Sequence, residues 1–163
     1  MKSSSSAAKR TAPGETGERR LDFDELPTYV GYQVRRTQAK IFAEFEARLG
    51  DFDFTPGSFG VLTLIRANPG ITQVALAAAF GVDKSTMSPV IVRLEKRGLV
   101  RREVLASDRR CHALFFLPSA EAAFLAAREK FRTLEAGVAA RLTKPEQREL
   151  SRLLAKLQGG SDE

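Results

Sequence analysis

The sequence contains one cysteine, Cys111, and one histidine, His112, side by side. A lone thiol excludes an internal disulfide and fits a reducing compartment. Neighbouring strand residues point to opposite faces, so in an expected strand Cys111 and His112 cannot share a metal or act as a dyad. Gly-rich phosphate loops, metal-ligand spacings and nucleophile elbows are all missing. The expectation is therefore no catalysis, no metal and no cofactor. No apolar run approaches the roughly 18–20 residues that span a bilayer. The opening stretch MKSSSSAAKRTAPGETGERR lacks an apolar signal core, which leads us to expect a cytoplasmic protein with no membrane partner.

What is present is ordinary in amount but uneven in placement. The 163 residues are 43% hydrophobic and 28% charged, enough for one buried core. The net charge is +6; residues 1–20 carry +3 and residues 84–112 carry +5, leaving the rest at −2. Positive charge is thus concentrated on a tail and on one internal segment, as phosphate contacts would require.

Residues 1–20 are Ser-, Gly- and Lys/Arg-rich and read as a disordered basic tail. A helix is expected from Leu26, with Pro27 in its first turn, to Gly50; Val30, Val34, Ile41, Phe45 and Leu49 form its apolar stripe. Thr55-Pro56 opens a second helix that runs to about Ala67. Thr72 caps a short third helix that stops at Gly81, and Asp83 caps a fourth that ends near Gly98. Residues 99–105 and 111–117 read as hairpin strands around a charged tip, Ala106-Ser107-Asp108-Arg109-Arg110. Pro118-Ser119 opens a long helix to about Arg141. The capping box Thr143-Lys144-Pro145-Glu146 starts the last helix, which Gly159-Gly160 ends. The expected order is α-α-α-α-β-β-α-α, a mainly α (α+β) chain. We divide it into the tail (1–20), an N-terminal helical region (21–55), a reading head (56–118) and C-terminal helices (119–163).

The stretch QVALAAAFGVDKSTMSPV, followed by a basic hairpin, has the layout of a winged helix-turn-helix. Counting Gln73 as the first place, Leu76, Phe80, Val82, Met87 and Val90 fall at places 4, 8, 10, 15 and 18, where a seam between two crossing helices needs apolar groups. Ala77 is small enough for a close crossing, and Gly81 can take the positive φ of the turn. The second helix would offer Lys84, Ser85, Thr86 and Ser88 to the major groove, with Arg93, Lys96 and the capping Thr72 as further DNA contacts. Pro89 removes a mid-helix hydrogen bond, so a kink or a later helix start is expected.

These residues, with Asp108-Arg109-Arg110 and the apolar Leu114 and Leu117 behind them, resemble the MarR family of bacterial transcription regulators. The resemblance covers about residues 25–158 and is strongest in STMSPVIVRLEKRGLVRR and SDRRCHALFFL. It implies a homodimer with interlocking N- and C-terminal dimerisation helices, bound to double-stranded DNA at an inverted-repeat operator. It also implies a recognition helix in the major groove and a wing in the minor groove. Arg109 and Arg110 become the wing residues, with Asp108 orienting one of them; the alternative that one arginine merely closes the hairpin stays open. Independently, Phe42, Phe45, Phe124, Leu125, Phe131, Leu134, Val138, Leu142, Leu150, Leu153, Leu154 and Leu157 form more apolar surface than a small winged helix can cover alone.

Tyr29, Tyr32, Gln33, Arg35, Arg36 and Lys40 form a mixed aromatic and basic set on the first helix, suited to a phenyl ring and a carboxylate or phosphate. GYQVRRTQAKIFAEFEARL with TPGSFGVLTLI is similar to the branch of the family that controls degradation of plant aromatic acids. That similarity implies an effector of the hydroxycinnamoyl-CoA type, p-coumaroyl-CoA or feruloyl-CoA, and a repressor that the effector releases. Tyr29, Gln33, Arg36 and Lys40 share one helical spacing, and open alternatives are a solvated or DNA-binding role for that stripe, a free phenolic acid or other small aromatic effector, thiol sensing through Cys111, and a nonspecific chromatin-type protein.

Overall fold

Three threonines start helices here, each by accepting a backbone hydrogen bond that the first turn would otherwise leave unmet. Thr55 accepts from Ser58 N (3.2 Å), Thr72 from Ala75 N (3.2 Å) and Thr143 from Glu146 N (3.5 Å). The computed structural model describes residues 21–49, 54–105 and 108–159, and of residues 105 and 108–111 the backbone alone. The helices are α1 (Val30–Leu49), α2 (Pro56–Ala67), α3 (Gln73–Ala79), α4 (Lys84–Lys96), α5 (Glu121–Ala139) and α6 (Lys144–Leu157). The strands are β1 (Ile71–Thr72), β2 (Val100–Leu105) and β3 (Asp108–Phe116), in the antiparallel order β1-β3-β2. The chain divides into two compact units within α1, between Arg35 and Arg36.

In the first unit the expected start of α1 is corrected. Leu26–Thr28 form a separate 3-10 turn, and Tyr29 is extended (φ −82°, ψ 124°). The turn satisfies itself: Thr28 Oγ1 donates to Glu25 O (2.7 Å), the Tyr29 hydroxyl to Glu25 Oε2 (2.8 Å) and Gln33 Nε2 to Pro27 O (2.8 Å). Tyr29 O then accepts the first bond of α1 from Gln33 N (3.0 Å).

In the second unit four expectations are revised. Ile71 and Thr72 form a strand, paired with Leu114 and Ala113, that the α-α-α-α-β-β-α-α order omitted. Two residues cannot display an alternation, and their partner lies far along the chain. The hairpin tip is shorter than residues 106–110: Asp108–Arg110 belong to β3, because the ladder slips between Val104 and Leu105 and pairs Leu105 with Asp108. Pro118–Ala120 form a 3-10 turn, with Ala120 N bonded to Leu117 O (2.9 Å), so α5 starts at Glu121. Helix α4 runs unbroken from Lys84 through Pro89. Thr86 N and Met87 N both bond Asp83 O, although the Asp83 side chain makes no capping bond. Pro89 forfeits only the bond to the carbonyl of Ser85, an exposed residue where water can serve.

The core gathers Leu62 and Ile65 of α2, Leu76 of α3, Ile91 and Leu94 of α4 and Leu114 of β3, all shielded from solvent. Leu76, Ala77 and Met87 fill the expected helix-turn-helix seam. Phe80 and Val82 do not: they are 37% and 38% exposed, and Val90 is half-buried while Ile91 takes the inner position. Phe80 instead lies on α2, so close that a Cβ on Gly60 would stand 3.0 Å from its Cζ. Toward α5, Phe59 stacks on Phe131 (4.1 Å between centroids) and Phe124 (5.5 Å), and Phe131 meets Phe45 of α1 edge-on. Phe45, Phe124, Phe131 and Leu134 therefore belong to the chain's own core and are withdrawn from the expected dimer surface. Phe42, Leu125, Leu150, Leu153 and Leu157 remain exposed.

A bidentate ion pair joins α2 to the first turn of α5: Arg66 Nε and Nη2 meet Glu121 Oε2 and Oε1 at 3.0 and 2.6 Å, with the guanidinium 4.9 Å over the Phe124 ring. The hydrogen bond from Arg66 holds the Glu121 carboxyl below its ordinary value. A depressed folded pKa gives stability above the unfolded value and loses it as pH falls through the folded one. Glu121→Gln should therefore lower the thermal midpoint at neutral pH, and the gap from wild type should close below about pH 4.3, the ordinary glutamate value. Gly81 sits at φ +61° in the α3–α4 turn. Gly81→Ala should destabilise by about 1–2 kcal/mol in urea unfolding, and Gly81→Asn by less, because asparagine tolerates that region.

Candidate nucleic-acid interface

Helix α4 has an anchored face and an outer face. At about 100° per residue, Met87, Ile91 and Leu94 fall together and are buried. Ser85, Thr86, Pro89, Arg93 and Lys96 share an arc of about 100° on the other side, and all five are exposed. Pro89 is tolerated partly because its ring lies on this outer arc and displaces nothing in the core. Lys84 is exposed at the first turn, while Ser88 is half-buried at the edge of the arc. The start of α4 is fixed by Gln73, whose Nε2 donates to Lys84 O across the turn (3.0 Å). Sequence reasoning counted Gln73 only as the first place of the motif; nothing in its spacing showed this bond.

The basic cluster separates into two groups. Arg97 lies over the Phe54 ring (4.4 Å), Arg101 over the Phe115 ring (4.7 Å) with an ion pair to Glu103, and Arg102 pairs with Glu95 (3.3 Å). Among the described residues Lys84, Arg93 and Lys96 make no ion pair, so their charge is directed to solvent. Three unpaired cations beside two exposed hydroxyls suit an acidic polymer presenting phosphates and groove edges. Thr72 is a weaker candidate than expected, since its hydroxyl oxygen already caps α3 from the half-buried β1. The side chains of Asp108, Arg109, Arg110 and Cys111 lie outside the described residues; the backbone places all four in β3.

Of the six residues of the expected effector set, the four expected at one helical spacing are placed with Gln33, Arg36 and Lys40 on α1 and Tyr29 immediately before it. Tyr29 precedes α1, and with Gln33 it is engaged in the turn before it. Tyr32 faces Phe23 at 6.5 Å, and Arg35, Arg36 and Lys40 are exposed. A cavity of about 110 Å³ lies further along α1, between it and α5, lined by Glu44, Phe45, Arg48, Leu134, Gly137, Val138 and Arg141 and by none of the six. Arg141 bonds Glu44 at its rim and holds that carboxyl below its ordinary range. Among the described residues no group of three His, Cys, Asp or Glu could hold a metal, and no helix is long and apolar enough to cross a membrane.

A profile of the MarR family matches residues 54–112. A protein of Thauera aromatica, named for transcriptional regulation of its hcr operon, is 31% identical over 149 residues, 91% of this chain and 90% of its own length. The HTH-type transcriptional repressor Rv2887 of Mycobacterium tuberculosis is 33% identical over 139 residues, 85% of this chain and 97% of its own; its structure with p-aminosalicylic acid superposes with a TM-score of 0.61. The transcriptional repressor CouR, bound to a 23-mer DNA duplex, superposes with a TM-score of 0.75 at 30% identity, covering 85% of this chain and 99% of its own. These relatives are named as transcriptional regulators. The exposed face of α4, the hairpin behind it and these likenesses together make the chain a member of the MarR family, a winged-helix transcription regulator.

Proposed function

We propose that this chain is a cytoplasmic homodimeric repressor that reads an inverted-repeat operator controlling aromatic-acid catabolism and leaves DNA when an aromatic acyl-CoA thioester binds. The observation that carries the DNA-reading part is the outer arc of α4: Ser85, Thr86, Arg93 and Lys96 are exposed, Arg93 and Lys96 make no ion pair among the described residues, and the opposite face is locked into the core. The wing would add Arg109 and Arg110 in the adjacent minor groove. The dimer is supported by Leu150, Leu153 and Leu157, which form an exposed apolar stripe at helical spacing on α6. Two copies related by a two-fold axis would place two recognition helices on consecutive major grooves.

For the effector, the support is the likeness to CouR and to the hcr-operon regulator, together with exposed Arg35, Arg36 and Lys40. Arginines suit the phosphates of a CoA moiety. An effector acts only through its differential affinity for the DNA-competent and DNA-incompetent arrangements of the dimer. A free phenolic acid is the second reading, favoured by the p-aminosalicylic acid complex of Rv2887.

Fluorescence anisotropy with duplex from the gene's own upstream region decides between these. Specific binding should exceed binding to random duplex by roughly 10³-fold or more, and p-coumaroyl-CoA should abolish it where p-coumaric acid does not. Arg36→Ala should keep operator affinity and lose the response. Release by the free acid alone would favour the second reading; equal affinity for random duplex would remove the regulator.

A further inference from the structure

Strand β2 is an edge strand, and its side chains alternate between the two faces of the sheet. Val100 and Arg102 stand opposite Phe116 and Leu114, so all four side chains lie on the face that packs against the helices, where Val100 and Leu114 are buried. The next residue on that face, Val104, is 58% exposed, and the ladder slips immediately after it. Arg102 is thus the last side chain of β2 on this face that is not exposed before the ladder slips.

A cation is a poor choice for that position on packing grounds alone, because Val-x-Arg-x-Val interrupts an apolar row. Its Nε and Nη2 are both shielded from solvent, and neither has a hydrogen-bond partner among the described residues. Glu95 Oε2 lies 3.3 Å from Nη2, near enough for charge attraction though not aligned as a hydrogen bond. Removing a guanidinium from water with donors unmet opposes folding, and an apolar residue of similar length would avoid it. What the pair does supply is a connection: Glu95 lies in the last turn of α4, the helix whose other side carries the exposed arc from Ser85 to Lys96. It joins that helix to β2, the first strand of the hairpin.

We propose that Arg102 and Glu95 form a positioning pair that sets the angle of the wing against the recognition helix, so that both meet one duplex together. The pair contacts neither base nor phosphate in this account; it acts through the hairpin. The inference rests on the DNA-reading function proposed above. It assigns a specificity-setting role to a residue otherwise read as one more charge in a basic cluster.

Three variants test it in the full chain: Arg102→Met, Arg109→Ala/Arg110→Ala, and all three substitutions together. Arg102→Met should leave the thermal midpoint unchanged or raised, since the apolar side chain suits the site. It should weaken upstream-duplex binding about tenfold, and that loss should not add to the loss from the two wing arginines, because both act through the same contact. The exchange Glu95→Arg/Arg102→Glu should recover affinity. Unchanged affinity in Arg102→Met, a loss that merely follows a lower midpoint, or a loss fully additive with the wing variants would each overturn the proposal. If the wild-type chain shows no preference for the upstream duplex, the DNA-reading function itself has failed. Amide exchange then decides on the pair alone: faster exchange across β2 and β3 in Arg102→Met at an unchanged midpoint supports it, and equal rates overturn it.

Discussion

The fold depends on one meeting point of apolar side chains, where Leu62 and Ile65 of α2, Leu76 of α3, Ile91 and Leu94 of α4 and Leu114 of β3 exclude water together. Burying side chains of this size is worth roughly 1.5–3 kcal/mol each, which makes this cluster the largest single commitment of the reading head. Its geometric effect matters as much as its energy. Helix α4 can bury Met87, Ile91 and Leu94 in only one rotation, and that rotation turns Ser85, Thr86, Arg93 and Lys96 outward. The exposed arc is therefore a consequence of packing, and the Gly81 turn and the Gln73–Lys84 bond fix its starting point.

Charge is arranged around that frame in two ways. Arg66, Arg97, Arg101 and Arg102 are spent inside the chain, on carboxylates or on aromatic faces, and tie elements to one another. Among the described residues Lys84, Arg93 and Lys96 make no ion pair and face solvent. A count of basic residues cannot separate these groups, because both kinds contribute equally to net charge. Register separates them: Arg102 falls inward because Val100 does, whereas Arg93 falls outward because Ile91 and Leu94 fall inward.

Much of this was legible in the sequence where local chemistry decides structure. The Thr55-Pro56 start, the Thr143–Glu146 capping box and the Gly81 turn all form as their residue types require. The seam was partly legible: Leu76 and Met87 are buried, but the choice between Val90 and Ile91 depends on how α4 rolls against α2, which spacing alone does not fix. The short strand Ile71–Thr72 and the early start of β3 depend on distant pairing partners and a register slip. The apolar surplus of the outer helices was overstated because Phe45, Phe124 and Phe131 pack with Phe59, an arrangement only three-dimensional proximity produces. For the candidate site, the exposure of Ser85, Thr86, Arg93 and Lys96 on α4 was readable from helical period, whereas the extended Tyr29 before α1 was not, because the 3-10 turn ahead of it breaks that period.

The central claim is that the outer arc of α4 meets phosphates and groove edges, and its most direct test is a salt titration of binding to the upstream duplex. Each phosphate contact releases condensed counterions, so log K should fall linearly with log salt, by roughly 10³-fold or more between about 50 and 200 mM if six or more phosphates are neutralised. Arg93→Ala should make that slope shallower by about one unit per protomer bound, with affinity lost alike on every sequence. A binding constant indifferent to salt, or a slope that Arg93→Ala and Lys96→Ala both leave unchanged, would contradict the account.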